Sequence, residues 1–286
     1  MTDLLSNTVA ELGLREACFQ ALKLEAPWKL HYASGIGGIH LLERGRATIE
    51  VERGRTLLEQ GDMVIVPRGV AHVLASGPGV RRDEPAELLC GRFTYVAQEH
   101  PLLSYLPPTI VVPFSRAQAL PRWGEYVRAL AQEVKTQRPG SAVIITRLSE
   151  ILLVEAVRQL VEAEEECPHT GWLRGIRDEA VDRVLHAFHA APDQAWSVES
   201  LAEVAMQSRS AFSERFRELM GEAPMSYVRR WRLYRVRTLL RSTDLSLDEI
   251  AKRTGYGSAA ALSVAFVREQ GLSPGQYRKQ PARPEG

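Results

Sequence analysis

The sequence predicts a multi-domain α+β chain: an N-terminal β-barrel, a helical linker and an all-α C-terminal region with two helix-turn-helix units. Three changes of texture along 286 residues carry this. Residues 28–97 read as short alternating segments cut by glycines, residues 121–165 as amphipathic helices, and everything after Arg177 as short helices joined by tight turns. The boundaries fall at 1–115, 116–175 and 176–286.

In the first segment, Ala47-Thr48-Ile49-Glu50-Val51 alternates apolar and polar, and Gly45, Gly54, Gly61 and Gly69 stand at turn positions. Strands at this spacing suggest a sandwich or barrel. The segment LREACFQALKL upstream reads either as helix-like or as entry to a strand. In WGEYVRALAQEV and VIITRLSEILLVEAVRQLVEA apolar residues recur at three and four, which fits two helices that pack internally or dimerise. The run Glu164 to Gly171 breaks that period and marks a linker.

The C-terminal region repeats one plan. Ser197, with Ser200 as the alternative, caps a helix lined by Leu201, Val204 and Ala205; the chain turns at Met206-Gln207-Ser208. Ser208 caps a second helix with Phe212 and Phe216 inward, and Gly221 ends it. In the second unit Ser246 and Ser258 are the caps, Gly255-Tyr256-Gly257 the turn, Leu262 and Phe266 the inward residues, and Gly271 the stop. The stretch PMSYVRRWRLYRVRTLLRST joins the units and carries Arg229, Arg230, Arg232, Arg235, Arg237 and Arg241.

Charge is divided. The net +1 hides an excess of Lys and Arg from Trp196 onward and an excess of acids before it, as expected if one half meets a polyanion. No apolar run approaches the ~20 residues of a membrane span. Cys18, Cys90 and Cys167 are too scattered for a disulfide framework, so a cytoplasmic protein with reduced thiols and no membrane partner is expected.

The string GYGSAAALSVAFVREQGLSPGQYR, the first unit's spacing of Met206, Ser208, Phe212 and Phe216-Arg217, and RRWRLYRVRTLLRSTDLSLDEIA resemble the AraC/XylS family's DNA-binding domain in order and spacing. The resemblance implies a transcription regulator, an activator, that binds double-stranded DNA and contacts RNA polymerase, and no enzyme. It implies that the second helix of each unit enters a major groove, the two lying about 34 Å apart. Ser210, Ser213 and Glu214 match the base-facing positions of the first unit, and Ala259, Ala260, Ser263 and Val264 those of the second. Ser208, Arg209, Arg217, Lys252, Ser258 and Arg268 would hold phosphates. Many relatives carry arginine where Glu214 and Val264 stand, so the first unit is expected to supply more of the base readout and the second mainly positioning.

GGIHLLERGRATIEV, LEQGDMVIVPRGVAHVL and ELLCGRFTYV resemble the landmarks of the cupin sensor domain carried by one AraC subgroup, the RclR-like one. That resemblance places His40, His72 and Cys90 where cupins project ligands inward, which would suit zinc or another divalent metal; a buried, satisfied histidine and an inert cysteine are the plainer alternative. Cys90 with Cys18 is a candidate oxidant sensor, and Trp28, His31, Tyr32 and Arg92 are candidate walls for a small-molecule effector. A metal-dependent cupin enzyme and a purely architectural DNA protein are the competing readings; the first leaves the C-terminal half unexplained and the second leaves the barrel idle.

Overall fold

Alternating side chains build the first unit: each strand turns every second residue toward one shared core. The computed structural model describes residues 4–52, 54–81, 84–97, 99–117, 122–162 and 171–280. The chain divides into two units between residues 166 and 167. Cys167 and residues 164–170 of the expected linker lie outside the described residues.

Helix α1 (Leu4–Leu12) leads into β1 (Leu14–Leu24), β2 (Lys29–Tyr32), β3 (Gly37–Arg44), β4 (Ala47–Val51) and β5 (Gly54–Leu58). Then come β6 (Met63–Val66), β7 (His72–Ser76), β8 (Ala86–Tyr95), α2 (Pro101–Tyr105), β9 (Ile110–Val112) and α3 (Phe114–Ala117). The strands form two antiparallel sheets, β1-β8-β3-β6-β9 and β2-β7-β4-β5. Leu42, Val64, Val66 and Leu88 of one sheet and Ile49, Leu58 and Leu74 of the other fill the space between them. The segment LREACFQALKL, ambiguous in sequence, is the eleven-residue strand β1, paired along β8 so that Gln20 faces Cys90 and Cys18 faces Arg92.

One turn shows how local chemistry sets this topology. Gly61 takes a left-handed φ of 90°, and a Cβ there would stand 2.5 Å from the Phe114 ring. The buried carboxylate of Asp62 accepts from the backbone N–H of Glu59 and of Phe114, each at 2.8 Å. Those bonds tie the start of β6 to α3, 52 residues away.

Helices α4 (Trp123–Thr136) and α5 (Ser141–Glu162) do not stand apart as a linker: they belong to the first unit, pack on each other and lie against β1. Their turn is fixed by Glu133, which accepts from the Ser141 hydroxyl and the Arg138 guanidinium, each at 2.6 Å. Of the segment expected to form the linker, only α6 (Trp172–Gly175) is a described helix of the second unit.

The second unit continues with α7 (Glu179–Ala190), α8 (Val198–Val204), α9 (Arg209–Met220), α10 (Pro224–Ser242), α11 (Leu247–Thr254), α12 (Ala259–Gln270) and α13 (Pro274–Lys279). Serines start the helices as their spacing predicts. Ser197 and Ser246 form capping boxes, while Ser208 and Ser258 accept from the N–H of Ala211 and Ala261. Gly221, Gly255 and Gly271 end helices in the left-handed conformation. Helix α10 supplies the shared spine. Its Leu233, Val236 and Leu240 pack with Ile250, Ala251, Leu262, Phe266 and Tyr277, and Tyr227 and Trp231 are equally buried. Each buried valine, leucine, isoleucine or phenylalanine there contributes on the order of 1.5–3 kcal/mol by leaving water.

Candidate functional site

Two helix pairs of the second unit share one plan, α8-turn-α9 and α11-turn-α12. In each, an inward phenylalanine pair or leucine-phenylalanine pair (Phe212 and Phe216; Leu262 and Phe266) anchors the second helix, and all four side chains are at most 1% exposed. The first turn carries Met206 at a left-handed φ of 57°, with its side chain 81% exposed. The second uses Gly255 for the same backbone bend.

The outward faces differ. On α9, Ser210, Glu214 and Arg217 are exposed, whereas the Ser213 hydroxyl donates back to the Arg209 carbonyl at 2.8 Å. Arg209 pairs with Glu199 at 2.9 Å. On α12, Ala260, Val264 and Arg268 are exposed, and Ser263 donates to the Ala259 carbonyl at 2.8 Å. Both inner-turn serines can therefore offer lone pairs to a ligand but no proton. Lys252, in the last turn of α11, is also exposed.

The arginine cluster of α10 has a largely internal role. Arg230 pairs with Glu222, Arg232 donates to the carbonyls of Pro192 and Gln194, and Arg241 lies over the Tyr277 ring at 4.6 Å. Arg232 is thus held by a pair of backbone carbonyls near the N-terminal end of the first helix pair.

A second cluster lies inside the first unit. Tyr32 of β2, His40 of β3, His72 of β7 and Cys90 of β8 converge from both sheets. The two imidazoles meet at Nε2, 3.0 Å apart, and the Tyr32 ring lies 4.7 Å from His72 and 4.8 Å from His40. Nδ1–H of His72 donates to the Val70 carbonyl at 2.8 Å. His72 in its neutral form therefore accepts at Nε2, and His40 donates to it. This leaves Nδ1 of His40 buried without a hydrogen-bond partner. Gly38 makes room for the pair, since a Cβ there would stand 2.9 Å from His40 Nε2. Burial holds the His40 imidazole down at about 3, with the neighbouring His72 adding to the effect; burial also lowers His72.

Three sequence expectations are corrected here. His40, His72 and Cys90 do not form a three-ligand metal site: among the described residues no group of three or more His, Cys, Asp or Glu could hold a metal ion. The nitrogens that would ligate face one another, and Cys90 sits in the apolar core cluster against which Tyr32 packs. Cys90 also lacks the thiolate character of an oxidant sensor, because burial pushes its thiol up to about 11. Cys18 is exposed, on the neighbouring strand and opposite Arg92 rather than Cys90. His31 points away from the interior, its side chain exposed between Leu30 and Tyr32, which pack on the core. Trp28 packs on that core as well, and Arg92 is exposed.

A cupin family model matches residues 3–162, and a helix-turn-helix domain model matches residues 201–280. A putative AraC-like transcription regulator of Streptomyces lividans is 30% identical across 99% of this chain and 100% of its own length. The chain belongs to the AraC-type transcription regulators. The regulator AlkR of Acinetobacter baylyi is 29% identical over 97% of this chain and 99% of its own. RclR of Escherichia coli, an RCS-specific activator, is 27% identical over 90% of each.

As an AraC-type regulator with a cupin N-terminal domain, the chain is a DNA-binding protein whose helix-turn-helix region is the second unit described above. No helix among the described residues is long and apolar enough to cross a membrane. Sequence reasoning missed two features of this AraC-type architecture. One is the packing of Tyr32 on the core cluster that holds Cys90, 58 residues away in sequence, which has no local signal. The other is Val267, 44% exposed, which repeats the outward period of Ala260 and Val264 and was legible in that spacing.

Proposed function

We propose that the chain is a one-component regulator in which α9 and α12 each enter a major groove of one operator while the cupin unit carries the signal-sensing part. The observation that carries this is the matched pair of serine-capped helices whose inner faces are buried and whose outer faces are exposed. Ser208, Ser258 and the N–H groups they leave open, with Arg209, Arg217, Lys252 and Arg268, are suited to phosphate contacts. Ser210, Ser213 and Glu214 are suited to base edges of one half-site, and Ala259, Ala260, Ser263 and Val264 to those of the other. Glu214 can accept from cytosine N4.

For the signal, a small-molecule effector that engages the Tyr32–His40–His72 cluster fits the chemistry better than a metal or an oxidant. The open acceptor at His40 Nδ1 is the group such a molecule would satisfy. Helix α5 exposes Val143, Ile144 and Ile151, an apolar face suited to a second copy of the chain. The output would be a changed contact with RNA polymerase in the cytoplasm. Binding, not catalysis, is the activity proposed.

Selection of bound sequences from random DNA, followed by footprinting of the full chain, tests the reading. Two protected half-sites one helical turn apart, about 10 base pairs centre to centre, are expected. A single short footprint, or none, would overturn it. Sedimentation that shows only monomer at the concentration giving full DNA occupancy would overturn the dimer.

A further inference from the structure

Helix α12 exposes apolar side chains where a protein surface ordinarily places polar ones. Val264 is 71% and Val267 44% exposed, and Ala260 and Ala261 beside them are exposed too. Positions 260, 264 and 267 follow the three-four period of a single helix face. None of them is needed inside. Leu262 and Phe266 fill the core from the opposite face and are fully buried. Exposed β-branched residues do not favour the helix either, since valine ranks low among helix formers.

The same face lacks side-chain donors. Ser263 gives its proton to the Ala259 carbonyl, and Ser258, whose hydroxyl accepts from the Ala261 N–H as the cap, stands ahead of the helix and outside the run 260–267. Only at Arg268, on the flank, does a charged group appear. The contrast with α9, whose outward residues include Ser210, Glu214 and Arg217, is one of chemistry, because the backbone plan is the same. In the major groove, donors and acceptors mark every base, and the one apolar mark is the C5-methyl group of thymine.

We propose that Val264, supported by Ala260 and Val267, reads thymine methyl groups, so that the operator half-site under α12 is selected by van der Waals contact rather than by hydrogen bonds. This rests on the reading of α12 as a groove-entering helix. It makes the second unit a source of specificity in its own right and names the base it prefers.

The test replaces thymines of the selected operator one at a time with deoxyuridine, which removes the methyl and keeps the pairing. Binding of the full chain is then measured. Burying one methyl group corresponds to about a fourfold change in affinity. Deoxyuridine at one or two positions of the α12 half-site is therefore expected to weaken binding about three- to fivefold each. Val264→Ala, at an exposed position, is expected to fold normally and to lose that sensitivity while keeping any shown in the α9 half-site. Ser210→Ala and Glu214→Ala assign the α9 half-site by altering preference there.

An α12 half-site selected without thymine would overturn the proposal, and so would equal affinity for every deoxyuridine-substituted operator. A Val264→Ala protein that keeps the full sensitivity, or that loses only transcription with its DNA profile unchanged, would also overturn it and point to a protein partner on this face. Failure to bind any DNA would instead defeat the DNA-binding reading itself, an outcome distinct from all of these.

Discussion

Nε2 of His40 and Nε2 of His72 lie 3.0 Å apart inside the cupin unit, each imidazole carried by a different sheet. The pair is a polar joint in an apolar core, its one hydrogen bond running from His40 to a neutral His72. A proton added to His40 finds no acceptor at Nδ1.

Acid should therefore loosen the first unit. Unfolded, His40 takes up its proton near pH 6.5; folded, it does so only near 3. Between those values the unfolded chain holds the extra proton, so stability falls as pH drops below about 6.5 and the loss levels off near 3. His40 alone should cost about 1 kcal/mol per pH unit in that window, and His72 acts in the same direction. Thermal unfolding of the first unit followed from pH 7.5 to 4.5 checks this. The double replacement His40→Leu with His72→Leu should flatten the acid limb; an unchanged slope would refute the assignment.

The cysteines should separate by reactivity. Cys18 is exposed and should alkylate in the native protein, whereas Cys90, buried against Tyr32 with its thiol pushed up to about 11, should alkylate only on unfolding. Peptide mapping after iodoacetamide at pH 7.5 distinguishes the two. Native labelling of Cys90 at the rate of Cys18 would contradict the burial described.

Phosphate and base contacts should separate by salt. Arg217→Ala is expected to weaken binding to all sequences alike and to reduce the slope of log K against log salt by about one. Glu214→Ala should leave that slope close to the wild-type value and relax the preference at one base pair. Titrations at four or five salt concentrations on cognate and scrambled fragments would show whether the roles are reversed.

Helix caps should matter to the unit that carries them. Ser246 accepts from the N–H of Glu249, and the Glu249 carboxylate accepts from the Ser246 N–H in return. Ser246→Ala should cost about 1 kcal/mol of second-unit stability. Denaturant unfolding reads the change directly, and a shift below a few tenths of a kcal/mol would show the box to be dispensable.

Much of the second unit was legible in the sequence because its signals are local. A serine before an apolar period starts a helix, a glycine after it ends one, and Phe212, Phe216, Leu262 and Phe266 lie inward at four-residue spacing. The first unit was legible only in outline. Gly45, Gly61 and Gly69 do take left-handed turns, but Gly54 opens β5 without one. β1 could not be read from its own residues, because its partner lies about 70 positions away in β8. The packing of α4 and α5 on β1 and the meeting of His40 with His72 are non-local in the same way. Strand landmarks suggested that His40, His72 and Cys90 point inward, yet which nitrogen meets which neighbour depends on the Val70 carbonyl and on Tyr32.

Two similar helices with dissimilar faces, gripping one operator, require selective binding of double-stranded DNA. Affinity of the full chain for its own upstream DNA, set against a scrambled fragment of equal length across a salt series, tests it most directly. The expected result is selective binding that weakens steeply and linearly on logarithmic axes as salt rises, with selectivity retained. Equal affinity for both fragments, or affinity indifferent to salt, would contradict it.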